Sequence, residues 1–197
     1  MKSVDALVKK ASDLKKKGLK EAEIADDLHL SKDTVIWLLT RGVKGGEPPK
    51  DVKIGWRSIG VSGNRVSAVA AAMTDIILEE TEKSGNDPQT VCGVAVNGVP
   101  YATLISESLG AELAIYRPPS ERGKATGHFS SNYASVANKK VIFVDDVLST
   151  GETMKGGMKE VRSLGGTPIL AVVVVNKTPH DELAGVPLRA LIRARAI

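Results

Sequence analysis

In the first stretch of the chain, Val4, Leu7, Val8, Ala11 and Leu14 recur at three- and four-residue spacing, with Lys9, Lys10, Lys15, Lys16 and Lys17 around them. That pattern predicts an amphipathic helix ending near Gly18. In LKEAEIADDLHLSKDTVIWLLTRG, Ile24, Ala25 and Leu28 mark a second helix. Ser31 is placed to cap a third, whose inner face carries Val35 and Leu38. TRGVKGGEPPKDVK then brings three glycines and a Pro-Pro pair, which cannot continue a helix, so a boundary falls around residues 41–53. Beyond it Val66, Val69, Ala70, Met73, Ile76 and Ile77 define a long amphipathic helix. The period then changes. TVCGVAV, ELAIY, VIFV and PILAVVVV read as strands, with helical stretches near 100–109 and 152–164 between them. Such alternation predicts an α/β body, a parallel sheet with helices on both faces, preceded by a small all-α domain.

Ligands of such sheets bind beyond the carboxyl ends of the strands, so the loops after the apolar runs carry the chemistry. In VIFVDDVLSTGET, Val141–Val144 is a buried strand, Asp145 and Asp146 fall where it emerges, and Ser149–Thr153 leads into a helix starting near Glu152. Backbone amides at a helix start, approached past small and hydroxylated residues, cradle phosphate. Adjacent carboxylates repel a bare phosphate but accept hydrogen bonds from vicinal hydroxyls. A ribose carrying a phosphate reconciles the two. AVNGVPYA, one strand upstream, is either a simple turn or a second set of amides. YRPPSERGKATGHFSSNY, residues 116–133, reads as a mobile surface loop kept cationic by Arg117, Arg122, Lys124 and His128.

Charge sharpens the division. Of the net +4, residues 1–57 supply all, with thirteen Lys or Arg against nine Asp or Glu, and the remainder is balanced. A basic module facing a polyanion fits this, as does a solvated helix that aids solubility. No apolar run approaches the ~20 residues of a membrane span. The start MKSVDALVKKASDL lacks the features of a secretory signal, and the single Cys92 has no internal disulfide partner. A cytoplasmic protein with no membrane association is expected.

VIFVDDVLSTGET resembles the phosphoribosyl-pyrophosphate signature of type I phosphoribosyltransferases. The resemblance spans roughly residues 61–197, through ELAGVPLRALI, and implies the type I phosphoribosyltransferase fold. It gives Asp145 and Asp146 the ribose hydroxyls and Ser149, Thr150, Gly151, Glu152 and Thr153 the 5-phosphate, Glu152 standing where the family commonly has a second glycine. AVNGVPYA is similar to the pyrophosphate loop of the orotate-type branch, which implies diphosphate binding by Ala95, Val96, Asn97 and Gly98. Magnesium would accompany phosphoribosyl pyrophosphate (PRPP). In orotate phosphoribosyltransferases a closing loop carries a basic pair, then further lysine and histidine. Here Arg117 is followed by Pro118, so Arg117, Lys124 and His128 are catalytic only if the chain is active. Base contacts would come from Ile54–Ser62 and the C-terminal loops.

The N-terminal segment resembles a helix-turn-helix, with Ala25 at the helix crossing, Val35 and Leu38 ten and thirteen residues later, and Leu30 plugging a turn at His29. That resemblance implies that Ser31, Lys32, Asp33, Thr34, Trp37 and Arg41 face DNA. A helical hairpin for dimerisation, or a lid, is the competing reading. The expected organisation is a helix-turn-helix domain at 1–42, a linker and entry segment at 43–60 and a ligand-binding body at 61–197. Orotate-phosphoribosyltransferase-like regulators of some archaea share this arrangement, which implies a homodimer on a palindromic duplex operator, sensing PRPP or a related phosphoribosyl ligand with catalysis reduced or absent. The alternative is an active transferase moving phosphoribosyl from PRPP to orotate or another nucleobase.

Overall fold

The computed structural model describes residues 4–44, 51–119 and 127–195, apart from the side chains of residues 26 and 41–44. The chain divides into two compact units. One ends at Gly55 and takes in Ala194, and the other spans Trp56–Arg193. Residues 56–60, within the expected linker and entry segment, fold with the body.

The first unit is three helices, α1 (Val4–Lys16), α2 (Glu21–Leu28) and α3 (Lys32–Lys44). Their apolar stripes meet in one small core of Ala11, Ile24, Ala25, Leu28, Leu30, Val35 and Leu38. Each larger aliphatic side chain there contributes about 1.5–3 kcal/mol by leaving water. Glu23 closes the start of α2 by accepting the Lys20 N–H at 2.8 Å, one arm of a capping box. Between α2 and α3, His29 takes φ 53°, a left-handed conformation that His tolerates better than most residues. Leu30 is buried behind it and donates its N–H to Ala25 O at 3.0 Å. Ser31 caps α3 as its sequence position predicts, its Oγ accepting the Thr34 N–H at 3.1 Å.

The second unit begins with α4 (Arg57–Gly60) and α5 (Gly63–Ser84), followed by β1 (Thr90–Val94), α6 (Gly98–Leu109), β2 (Glu112–Arg117), β3 (His128–Phe129), β4 (Lys140–Leu148), α7 (Glu152–Ser163), β5 (Thr167–Asn176), β6 (Glu182–Leu183) and β7 (Val186–Arg193). The sheet order is β3-β2-β1-β4-β5-β7-β6. The five inner strands are parallel, and β3 and β6 are antiparallel edges. Period-two alternation sorts the two faces. Cys92, Val141 and Phe143 pack with Met154, Met158 and Val161 of α7. On the other face Gly93 lets Ala102 and Val99 of α6 come close, and α5 packs beside α6. With both faces covered, β1 is buried along its whole length.

Two expectations change here. The strand read as Val141–Val144 continues to Leu148, so Asp145 and Asp146 stand within it, not beyond its end. Pairing of Asp145, Val147 and Leu148 with β5 holds the backbone extended that far. Part of the 116–133 segment is also ordered into the sheet, because β3 pairs Phe129 with Tyr116 and His128 with Arg117. The Phe129 and Tyr116 rings lie 5.4 Å apart, giving this short edge an apolar anchor.

Candidate ligand-binding site

Two segments converge at the carboxyl edge of β4. Asp146 is 3% exposed, and its Oδ2 accepts the Trp56 indole N–H at 2.6 Å and the Asn97 amide N–H at 3.2 Å. The Asp146 backbone N–H donates to Asp145 Oδ1 at 2.8 Å. Beyond Leu148 the chain passes Ser149 and Thr150 to Gly151, which caps α7 with φ 78°. A side chain at Gly151 would be strained by that φ and would press a Cβ to 2.6 Å from Leu183 Cδ1. Thr150 Oγ1 accepts the Glu152 N–H at 3.3 Å. The Glu152 side chain is 74% exposed and pairs with Lys155 at 2.7 Å. It therefore neutralises a lysine on its own helix. The positive end of the helix dipole and small side chains remain at the α7 start, an arrangement suited to an anion.

The Ala95–Gly98 loop is built against this strand. Ala95 donates its N–H to Tyr116 O at 2.9 Å, the Ala95–Val96 peptide is cis, and Val96 is 81% exposed. Gly98 opens α6 so close to β4 that a Cβ there would overlap Val144 O and lie 3.0 Å from Asp145 Cα. Glycine at 98 thus holds the loop and the acid pair in one place. The Asn97–Asp146 hydrogen bond ties them by side chains as well.

The candidate cations are less gathered. Arg117 is exposed at the end of β2, opposite His128 in β3. The His128 Nδ1 is buried, with no hydrogen-bond partner among the described residues. Lys124 and Arg122 lie outside the described residues. Cys92 is buried in β1, and that burial pushes its thiol up. Tyr101, buried, has its hydroxyl raised first by burial and then by the Asp146 charge. No group of three or more His, Cys, Asp or Glu able to hold a metal occurs among the described residues. The donor set present, two carboxylates beside an anion cradle, fits a magnesium ion completed by a ligand's own phosphates and water.

Sequence reasoning did not find Trp56 or Asn97 as partners of Asp146, nor Tyr101 beside them, its ring 6.1 Å from that of Trp56. These pairings cross 90 and 49 residues, beyond any local period. The signals available were a Trp within the unpatterned 54–62 stretch and an Asn preceding a helix-opening glycine.

In the first unit, Lys32 and Asp33 are exposed on α3. Thr34, expected to face outward, is buried instead: Ser31 and Thr34 bond each other through their hydroxyls at 2.8 Å as part of the cap. Trp37 is half-buried against the core, and Ile36, 41% exposed, faces out. The Ser31 N–H is engaged by Asp51 Oδ2 at 2.6 Å. The Arg41 side chain lies outside the described residues. No helix among the described residues is long and apolar enough to cross a membrane.

Comparison with known proteins places these features in context. The family model described as phosphoribosyl transferase domain matches residues 56–184. The chain is 47% identical over 197 residues to the transcriptional regulator GfcR of Thermoplasma acidophilum, covering 100% of this chain and 98% of the relative. It is 40% identical to transcriptional regulator GfcR 2 of Methanosarcina barkeri, covering 98% of each. Among solved structures it resembles orotate phosphoribosyltransferase from Aeropyrum pernix, with TM-score 0.58, 23% identity and coverage of 77% of this chain and 83% of that one. Orotate phosphoribosyltransferase from Mycobacterium tuberculosis, solved with PRPP, gives TM-score 0.56 at 18% identity over 71% of this chain and 80% of that one.

Proposed function

Because the chain belongs to the phosphoribosyl transferase domain family and to the GfcR group of transcriptional regulators within it, we propose that it is a cytoplasmic, DNA-binding transcriptional regulator whose body binds PRPP or a related phosphoribosyl ligand. The observation that carries this reading is the full-length correspondence to proteins named as regulators, through the three-helix unit as well as the body.

In this reading α2 and α3 form a helix-turn-helix crossing at Ala25, and α3 enters the major groove. Lys32 contributes a phosphate contact and Asp33 and Ile36 face base edges. A homodimer built through the body sets two such helices ~34 Å apart on a palindromic duplex. The ligand's 5-phosphate lies on the amides of Ser149–Thr153 at the start of α7. Its ribose diol donates to Asp145 and Asp146, and its diphosphate meets the amides of Ala95–Gly98. Asp145 and Asp146 would hold magnesium together with the ligand's own oxygens, and the ion would offset the diphosphate charge. Catalysis is reduced or absent, since Arg117 is followed by Pro118 and lacks the basic pair that would neutralise a departing diphosphate.

The test is selection of genomic duplex fragments by the purified protein at near-physiological salt, together with calorimetry of magnesium PRPP binding. Enrichment of a few palindromic sites, with affinity falling steeply as salt rises, is the expected result. Weak binding that is equal on every sequence, or turnover of PRPP with a nucleobase at ordinary enzymatic rates, would replace this reading with the transferase.

A further inference from the structure

The proposed ligand site contains a donor that competes with a ribose for one oxygen of Asp146. A carboxylate oxygen offers two lone pairs, and Asp146 Oδ2 already accepts two hydrogen bonds, from the Trp56 indole and the Asn97 amide. A sugar hydroxyl reaching that oxygen must remove one of them. Asn97 sits immediately before Gly98, which is jammed against β4, so its backbone has little room to move. Trp56 is the half-buried first residue of the second unit, preceded by irregular chain from Asp51. Its ring lies over Gly60, where a Cβ would run into it. Indole and sugar therefore compete for one acceptor, and the indole belongs to the residue that caps α4 and continues the chain from Asp51.

That backbone leads to the other unit. Asp51, five residues earlier in the chain, accepts the Ser31 N–H at 2.6 Å through Oδ2 and its neighbour Val52's N–H at 2.8 Å through Oδ1. The 51–56 stretch is thus anchored at one end on the residue that caps α3 and at the other on the ribose acceptor. We infer that Trp56 is the occupancy sensor of this protein: the ligand's ribose diol takes its place on Asp146, and release of the indole is passed through 51–56 to Asp51 and the start of α3. The inference rests on the reading of the body as a phosphoribosyl site and adds how that site is coupled to α3.

Trp56 and Trp37 are the two tryptophans of the chain, so a W37F protein reports on Trp56 alone. On titration with magnesium PRPP its emission should shift to the red and its quenching by acrylamide should rise, as the ring leaves Asp146 and meets water. In the full chain W56F, which keeps an aromatic ring but removes the N–H, should bind magnesium PRPP about tenfold more tightly by calorimetry, since a hydrogen bond to a charged acceptor no longer competes. Its affinity for operator DNA should also respond less to the ligand than that of the native chain. Magnesium PRPP binding with unchanged Trp56 emission and quenching, and equal affinity in W56F, would overturn the sensor role while leaving the phosphoribosyl site intact. Absence of PRPP binding in both the native and W56F proteins would overturn the site and the sensor together.

Discussion

The two units present helix starts of opposite design. At α7 the cap is Gly151 in a left-handed conformation, beside the hydroxyls of Ser149 and Thr150, and the Glu152 carboxylate is turned to Lys155. At α3 the cap is closed. Ser31 Oγ accepts the Thr34 N–H, and the Asp51 carboxylate holds the Ser31 N–H. Both starts carry the positive end of a helix dipole. Thr150 Oγ1 takes the Glu152 N–H at one, and a hydroxyl and a carboxylate serve the other. In the proposed reading the glycine-capped start of α7 takes the ligand's phosphate, and the hydroxyl- and carboxylate-capped start of α3 is structural. A phosphate of DNA would meet α3 at its exposed Lys32 more readily than at its capped amides.

The largest effect expected on this contrast comes from Asp146. Asp146→Ala removes the buried acceptor of the open site, and magnesium PRPP affinity should fall by about 100-fold in calorimetry, the cost of charge-assisted hydrogen bonds; wild-type affinity would break the assignment. Next is Gly151→Ala, which forces a side chain into φ 78° and against Leu183. It should cost about 1–2 kcal/mol in stability from backbone strain and weaken PRPP, as read by thermal denaturation with and without ligand. Asp51→Ala unties the closed start instead. It should destabilise the first unit by about 1 kcal/mol, typical of a lost cap, and reduce the response of operator affinity to magnesium PRPP, an unchanged response breaking the linkage through 51–56. The smallest effect is Lys32→Ala, which should weaken all duplexes alike and reduce the slope of log affinity against log salt by about one.

Much of this architecture is legible in the sequence because it is local. The 3.6 period of Val4–Leu14 and Val66–Ile77, the apolar runs of β4 and β5, and the order of acid pair, hydroxyls and glycine before α7 all lie within windows of a dozen residues or so. The turn at His29 is legible too, because Ala25, Leu30, Val35 and Leu38 bracket it with fixed spacing. What escapes is either too short or too distant. β3 and β6 are two residues each, less than one full alternation. The continuation of β4 through Asp145 and Asp146 depends on pairing with β5, and charged residues hide it in an apolar count. Thr34 is polar yet buried because its hydroxyl completes a cap. Trp56, Asn97 and Asp51 find their partners only once the chain has folded, so no period announces them.

The proposed coupling of ligand binding to DNA binding is tested most directly by one titration. An enriched operator duplex, at fixed near-physiological salt, is titrated with the full chain in the absence and in the saturating presence of magnesium PRPP. A regulator whose body senses this ligand should show operator affinity changed by at least about fivefold, in either direction, with the reciprocal change in PRPP affinity when DNA is bound. Equal operator affinity in the two conditions, with PRPP shown to be bound, would contradict it and leave a DNA-binding protein whose phosphoribosyl site serves another purpose.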